Sequence, residues 1–140
     1  MIQVILGGKG SGKTKRLIDL TNDALKEEHG NIIFIDDDKR YMYDLRHEIR
    51  FVDASAYPIA RGCSPDAFLA FISGMLAVNY DITLISIDAF LKLVHIDDPA
   101  ELSPFFTALD KLSQEHNCNF MVSVSMEVEK LPKDVLAYVQ

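Results

Sequence analysis

Eight residues near the start of the chain, Gly7-Gly8-Lys9-Gly10-Ser11-Gly12-Lys13-Thr14, have the types and spacing needed to hold phosphate. Gly7, Gly8, Gly10 and Gly12 let successive backbone N–H groups curl around phosphate oxygens without a Cβ in the way. Such a loop presents its ligand to the positive end of the helix that follows. Lys13 would reach the outer phosphates of a nucleotide as a point charge, and the Thr14 hydroxyl would ligate Mg²⁺. The bland alternative is a glycine-rich turn that binds nothing. Flanking sequence argues against it, because the run Ile2 to Leu6 before the loop reads as a buried strand. After the loop, Leu17, Leu20 and Leu25 fall on one face of a helix.

A second candidate is Asp88, which closes the apolar run Leu84-Ile-Ser-Ile. An acid at the end of a buried strand can hold a water ligand of Mg²⁺ opposite Thr14. Many buried strands also end in aspartate for turn or capping reasons, so Asp88 gains meaning only beside the glycine loop. The run Asp36-Asp37-Asp38 at the tip of another apolar segment is either part of the same site or a solvated loop. Tyr41 and Tyr43 could stack on a nucleobase, and ordinary packing explains them equally well. His95, Asp97 and Asp98, and the pair His116 and Cys118, contain metal-capable groups. Four ligands with zinc spacing are not found, and the expectation is surface or helix-end histidines.

The elements that must position these groups alternate. Strands are expected at Ile2–Leu6, Asn31–Asp36, Ile82–Asp88 and Asn119–Val124, with a brief extended segment at Arg50–Asp53. Helices are expected from about Lys13 to Glu28, over Tyr41 to His47, and from Pro65, capped by Ser64, to about Asn79. Another begins at Asp98-Pro99 and carries Phe105, Phe106, Leu109 and Leu112 on its apolar face. The stretch from Ser55 to Ser64 reads as loop, and Glu127 to Gln140 fits either a helix or a strand. Alternation of this kind predicts an α/β three-layer sandwich with a mostly parallel, doubly wound sheet and the site at the carboxyl ends of its strands.

With 140 residues and no repeat or linker, the chain is expected to form one domain spanning residues 1–140. A hydrophobic content of 49% with 25% charged residues fits a globular protein. The net charge of −7 argues against a nonspecific nucleic-acid surface, which needs clustered Lys and Arg. Cys63 and Cys118 stand far apart and read as two reduced thiols. Met1-Ile2-Gln3 runs straight into the first strand without a basic leader, and the apolar run from Ala67 to Val78 is too short to span a bilayer. Cytoplasmic location and no membrane partner are expected.

The loop matches G-x-x-x-x-G-K-[ST], and the chain resembles P-loop NTPases. Together with Phe34-Ile-Asp-Asp-Asp38, Leu-Ile-Ser-Ile-Asp88 and Phe-Met-Val-Ser-Val-Ser125, it is similar to the nucleotide core of RecA/KaiC-like ATPases over roughly residues 1 to 126. That resemblance implies a P-loop NTPase fold, ATP and Mg²⁺ as ligands, and nucleotide contacts from Gly8 through Thr14. It implies Lys13 as a catalytic lysine and Asp88 as the Walker B acid that holds the metal with Thr14. It also places Asp38 where the family has a water-orienting glutamate, and Ser125 at a polar sensor position. Asp38 departs from the family by one methylene, and the chain ends before the extra strands and DNA-binding loops of recombinases, so recombinase activity is not implied.

Other P-loop classes fit less well. Ser123-Val-Ser-Met126 replaces the guanine-reading [NT]-K-x-D motif, and Ala89 stands where ABC ATPases have a glutamate. The second loop position is Gly8, not the signature lysine of MinD/ParA-type ATPases; Lys9, in the third, reads as a solvated charge or a residue acting in trans. Arginines stand at 16, 40, 46, 50 and 61 only, with none in a late lid of the small-kinase type. The expected function is a weak Mg²⁺-dependent ATPase acting through a protein partner or self-association. An ATP-dependent switch or assembly module with negligible hydrolysis, and a small-molecule kinase, are the alternatives.

Overall fold

Strands form where the sequence is apolar at consecutive positions: Ile2–Gly7 (β1), Asn31–Asp36 (β2), Arg50–Asp53 (β3), Ile82–Ile87 (β4) and Asn119–Ser125 (β5). The computed structural model describes every residue except Ala60 and Arg61. The five strands make one sheet in the order β1-β5-β4-β2-β3, and every pairing is parallel. All carboxyl ends therefore lie along one edge. The brief extended segment expected at Arg50–Asp53 is an edge strand of this sheet, and Asp88 falls one residue beyond the end of β4.

Helices cover both faces, giving the three layers expected of such a sheet. On one face, Lys13–Ala24 (α1) packs Leu17 and Ile18 against Ile5, Ile32, Phe34 and Leu84. On the other, Pro65–Val78 (α2) and Leu102–His116 (α4) bury Phe68, Ile72, Phe105 and Phe106 over Ile35, Ile87 and Val122. Phe68 and Phe105 touch the ring of Phe90, which belongs to a four-residue helix, Phe90–Leu93 (α3), directly after β4. Burying one such ring stabilises the fold by about 1.5–3 kcal/mol. That ring fixes the segment following Asp88.

Local signals explain the ends. Ser64 accepts a hydrogen bond from Ala67 N–H at 3.1 Å, and Pro65 occupies the first turn of α2. Asp98 and Glu101 form a reciprocal capping box around a 3-10 turn, Pro99–Glu101, that leads into α4. α1 ends at Ala24, earlier than its sequence pattern suggests, and loose turns carry the chain on to Glu28. Lys39–Asp44 is a 3-10 helix with no buried residue, where the sequence suggested a helix from Tyr41 to His47. The ambiguous C-terminal stretch holds both forms. Lys133–Leu136 (α5) is a helix, and Val139 then bridges Val4 in parallel, covering the outer side of β1. Among the described residues, no helix is long and apolar enough to cross a membrane.

Candidate functional site

The glycine loop joins β1 to α1 at the carboxyl edge of the sheet. Gly10 and Gly12 have φ of 79° and 85°, a left-handed backbone that residues with a Cβ adopt only under strain. A Cβ on Gly7 would meet the Ser11 hydroxyl, which would have to turn aside. Gly12 is the N-cap of α1 and no side chain caps the helix, so the N–H groups of its first turn point into the loop. Lys13 arches back across the loop and donates from Nζ to the Gly8 carbonyl at 2.9 Å. That same carbonyl accepts Ser11 N–H at 3.2 Å. At Gly8, Gly10 and Gly12 the space a Cβ would take is open, with nothing within 4 Å.

Asp88 is the node of the site. It is 2% exposed. Its Oδ2 accepts the Thr14 hydroxyl at 2.8 Å and its Oδ1 accepts the Ser123 hydroxyl at 2.6 Å. Its own N–H continues the ladder to the Ile35 carbonyl at 2.9 Å. Three elements distant in sequence (the first turn of α1, the end of β4 and the end of β5) thus meet at one carboxylate. Strand alternation explains the meeting. Ile32 and Phe34 of β2 and Leu84 of β4 pack toward α1, so Asp36 and Asp88, two and four residues on, project to that face as well. Ser123 and Ser125 follow Met121, which also packs there.

The next residue, Ala89, adopts φ 53° and ψ 45° although it is not glycine. Left-handed backbone costs such a residue about 1–2 kcal/mol. Ala89 N–H donates to Ser123 Oγ at 2.9 Å, so one hydroxyl holds both the acid and the strained turn after it. Backbone strain of this kind gathers at functional sites.

The acidic tip of β2 divides. Asp36 is 1% exposed, with Oδ1 accepting Asp37 N–H at 2.7 Å and Oδ2 buried without a hydrogen-bond partner among the described residues. Burial first, and the neighbouring Asp88 carboxylate second, push its carboxyl up to about 8. Asp38 is gripped by Arg40, whose Nε and Nη2 reach its Oδ2 at 3.0 and 2.6 Å. It also caps the 3-10 helix through Arg40 N–H. Those hydrogen bonds from Arg40 hold its carboxyl down at about 2.

A cavity of about 260 Å³ opens between the loop and the carboxyl ends of β4 and β5, lined by Lys9, Lys13, Thr14, Asp88, Ser125 and Lys92. It therefore gathers Lys9, Gly10, Lys13, Thr14, Asp88 and Ser125 of the residues singled out from sequence. Asp38 is not on its wall. Ser123, Lys92 and the left-handed turn at Ala89 escaped the sequence reading. Ser123 had a signal, since it precedes Ser125 by two and must share its face. Lys92 had none until α3 was seen.

The remaining candidates do not line that cavity. His95 Nε2 and Asp97 Oδ1 are 2.6 Å apart on an exposed segment, beside a larger cavity that also touches Gly8 and Ser125. Among the described residues, no three His, Cys, Asp or Glu gather as a metal cluster. Cys63 and Cys118 are both free thiols, and burial pushes Cys118 up to about 12. Arg50 begins β3 at the opposite edge of the sheet, and the Arg46 N–H is bonded to Asn22 near the far end of α1. Arg61 lies outside the described residues. No protein-family model matches the chain, and no curated protein proved similar to it.

Proposed function

We propose that this chain is a P-loop nucleotide-binding protein that takes Mg·ATP between the glycine loop and Asp88 and hydrolyses it slowly. One observation carries the reading. The Thr14 hydroxyl and the Asp88 carboxylate, 74 positions apart, meet at 2.8 Å on the wall of the cavity that the glycine loop also lines. A turn that served only to connect β1 to α1 has no need of that contact.

The residues fit a magnesium ion. Mg²⁺ keeps several waters and asks a protein for one or two oxygen ligands beside the phosphates, so no cluster of three acids is required. Thr14 Oγ1 and Asp88 supply those oxygens. When bound, the ion would screen the phosphate charge and fix the outer phosphates in line for displacement. The loop N–H groups and Lys13 would cradle those phosphates, releasing Lys13 from the Gly8 carbonyl. Ser123 keeps Asp88 aimed at Thr14, and Ser125 lies on the cavity wall as the polar sensor.

For the acid that orients the attacking water, the geometry favours Asp36 over Asp38. Asp36 is buried beside Asp88, whereas both oxygens of Asp38 are held by Arg40. No arginine among the described residues lines the cavity, and an arginine supplied in trans contributes about 10³–10⁵ in rate. Slow turnover by the isolated chain follows, with a protein partner or self-association completing the site. This is also what favours the second reading, a switch or assembly module that binds ATP and hardly hydrolyses it. Radiolabelled ATP with the purified chain separates the readings: phosphate release marks an ATPase, binding alone a switch, and label on an added acceptor a kinase. Absence of binding to ATP or ADP would overturn all of them.

A further inference from the structure

We infer that Lys92 is a further phosphate-binding residue of this site, a cation supplied in cis that contacts the terminal phosphate and makes the site prefer a nucleoside triphosphate to a diphosphate. The inference rests on the nucleotide reading above. Lys92 lines the 260 Å³ cavity together with Lys9, Lys13, Thr14 and Asp88, so three lysines converge there in a chain whose net charge is −7. Its backbone is fixed on both sides: Lys92 N–H donates to the Ala89 carbonyl at 2.9 Å, and its own carbonyl accepts Gly62 N–H at 3.2 Å. Phe90 and Leu93 on α3 are fully buried, and Lys92 stands on the exposed side of that turn.

Position decides which phosphate it meets. The loop and the first turn of α1 wrap one side of the cavity, where the inner phosphates would lie. Lys92 belongs to α3, four residues after Asp88, and so meets the cavity from outside the loop and the first turn of α1. Its charge also reaches the tip of β2, where it contributes to the depressed carboxyl of Asp38. A triphosphate carries more negative charge than Mg²⁺ and Lys13 together neutralise, and Arg40, just beyond β2, is committed to Asp38. The left-handed turn at Ala89 starts α3, whose Leu91 and Lys92 line the cavity.

Calorimetric titration of Mg·ATP and Mg·ADP into the wild type, Lys92→Ala and Lys92→Arg tests this. Loss of a charge-assisted phosphate contact should weaken ATP binding about tenfold or more in Lys92→Ala and leave ADP affinity unchanged. Lys92→Arg, which keeps the cation, should restore most of the difference. The ATP preference of the wild type should also shrink with added salt more than that of Lys92→Ala. Equal ATP-to-ADP ratios in the wild type and a folded Lys92→Ala variant would overturn the inference while leaving nucleotide binding intact. Failure of the wild type to bind either nucleotide would overturn the nucleotide reading, and this inference with it.

Discussion

Arg40 holds Asp38 in a fork, with Nε 3.0 Å and Nη2 2.6 Å from the same carboxylate oxygen. A carboxylate so engaged is a poor proton acceptor and is turned toward its own 3-10 helix. Asp38→Asn should therefore leave ATP turnover within about twofold of wild type, far from the roughly 10²-fold that misplacing a reacting group costs. Steady-state phosphate release decides it, and a loss of 10²-fold or more would restore Asp38 as the water-orienting acid. The same pair sets a pH effect. The folded-state carboxyl is lowered to about 2, so its contribution to stability is present above its ordinary value near 4 and is lost as pH falls toward about 2. Below pH 4, Asp38→Asn should lose stability with a shallower slope than wild type, read from denaturation midpoints.

Asp36 should behave in the opposite way. Asp36→Asn replaces a buried carboxyl that faces Asp88 by a neutral amide able to donate to it. The variant should be more stable than wild type at neutral pH, by about 1–3 kcal/mol, the usual cost of an unsatisfied buried polar group. It should also hydrolyse ATP at least tenfold more slowly while binding it as well. Gain of stability with loss of turnover is the signature of a functional strain. A variant that is less stable and equally active would make Asp36 a structural residue only.

Asp88→Ala should act through Mg²⁺. Titrations with and without the metal should differ less in the variant than in wild type, because Thr14 loses its partner and the ion loses an oxygen ligand. Ser123 and the Ala89 turn lose their anchor too, so some loss of thermal stability is expected. If the metal-dependent part of the affinity is the same in both proteins, Asp88 serves packing alone.

Much of this architecture was legible because it rests on local rules. The glycines of the loop announced a backbone free of Cβ atoms between strand and helix, and Ser64-Pro65 and Asp98-Pro99 announced helix starts. Uninterrupted apolar runs announced strands covered on both faces. Tertiary partnership was not legible. Asp36, Asp37 and Asp38 look equivalent in sequence, and only the parity of β2 buries the first beside Asp88. Arg40 claims the third through a short-range fork that propensity rules do not weigh. Lys92 becomes visible only when the buried ring of Phe90 ties α3 to the α2 and α4 rings. The 3-10 form of Lys39–Asp44 was missed for a similar reason, since it buries nothing and follows its Asp38 cap rather than an apolar stripe.

Nucleotide binding at the glycine loop is the central claim, and Lys13 tests it most directly. The lysine is half-buried, its Nζ hydrogen bond lies within the loop, and it is not part of either core cluster, so Lys13→Ala should fold normally. Isothermal titration of Mg·ATP should give saturable one-to-one binding to wild type and at least tenfold weaker binding to Lys13→Ala, since a charge-assisted contact contributes about 1.5–3 kcal/mol. Equal affinity in wild type and a correctly folded Lys13→Ala, or no binding to wild type, would contradict it.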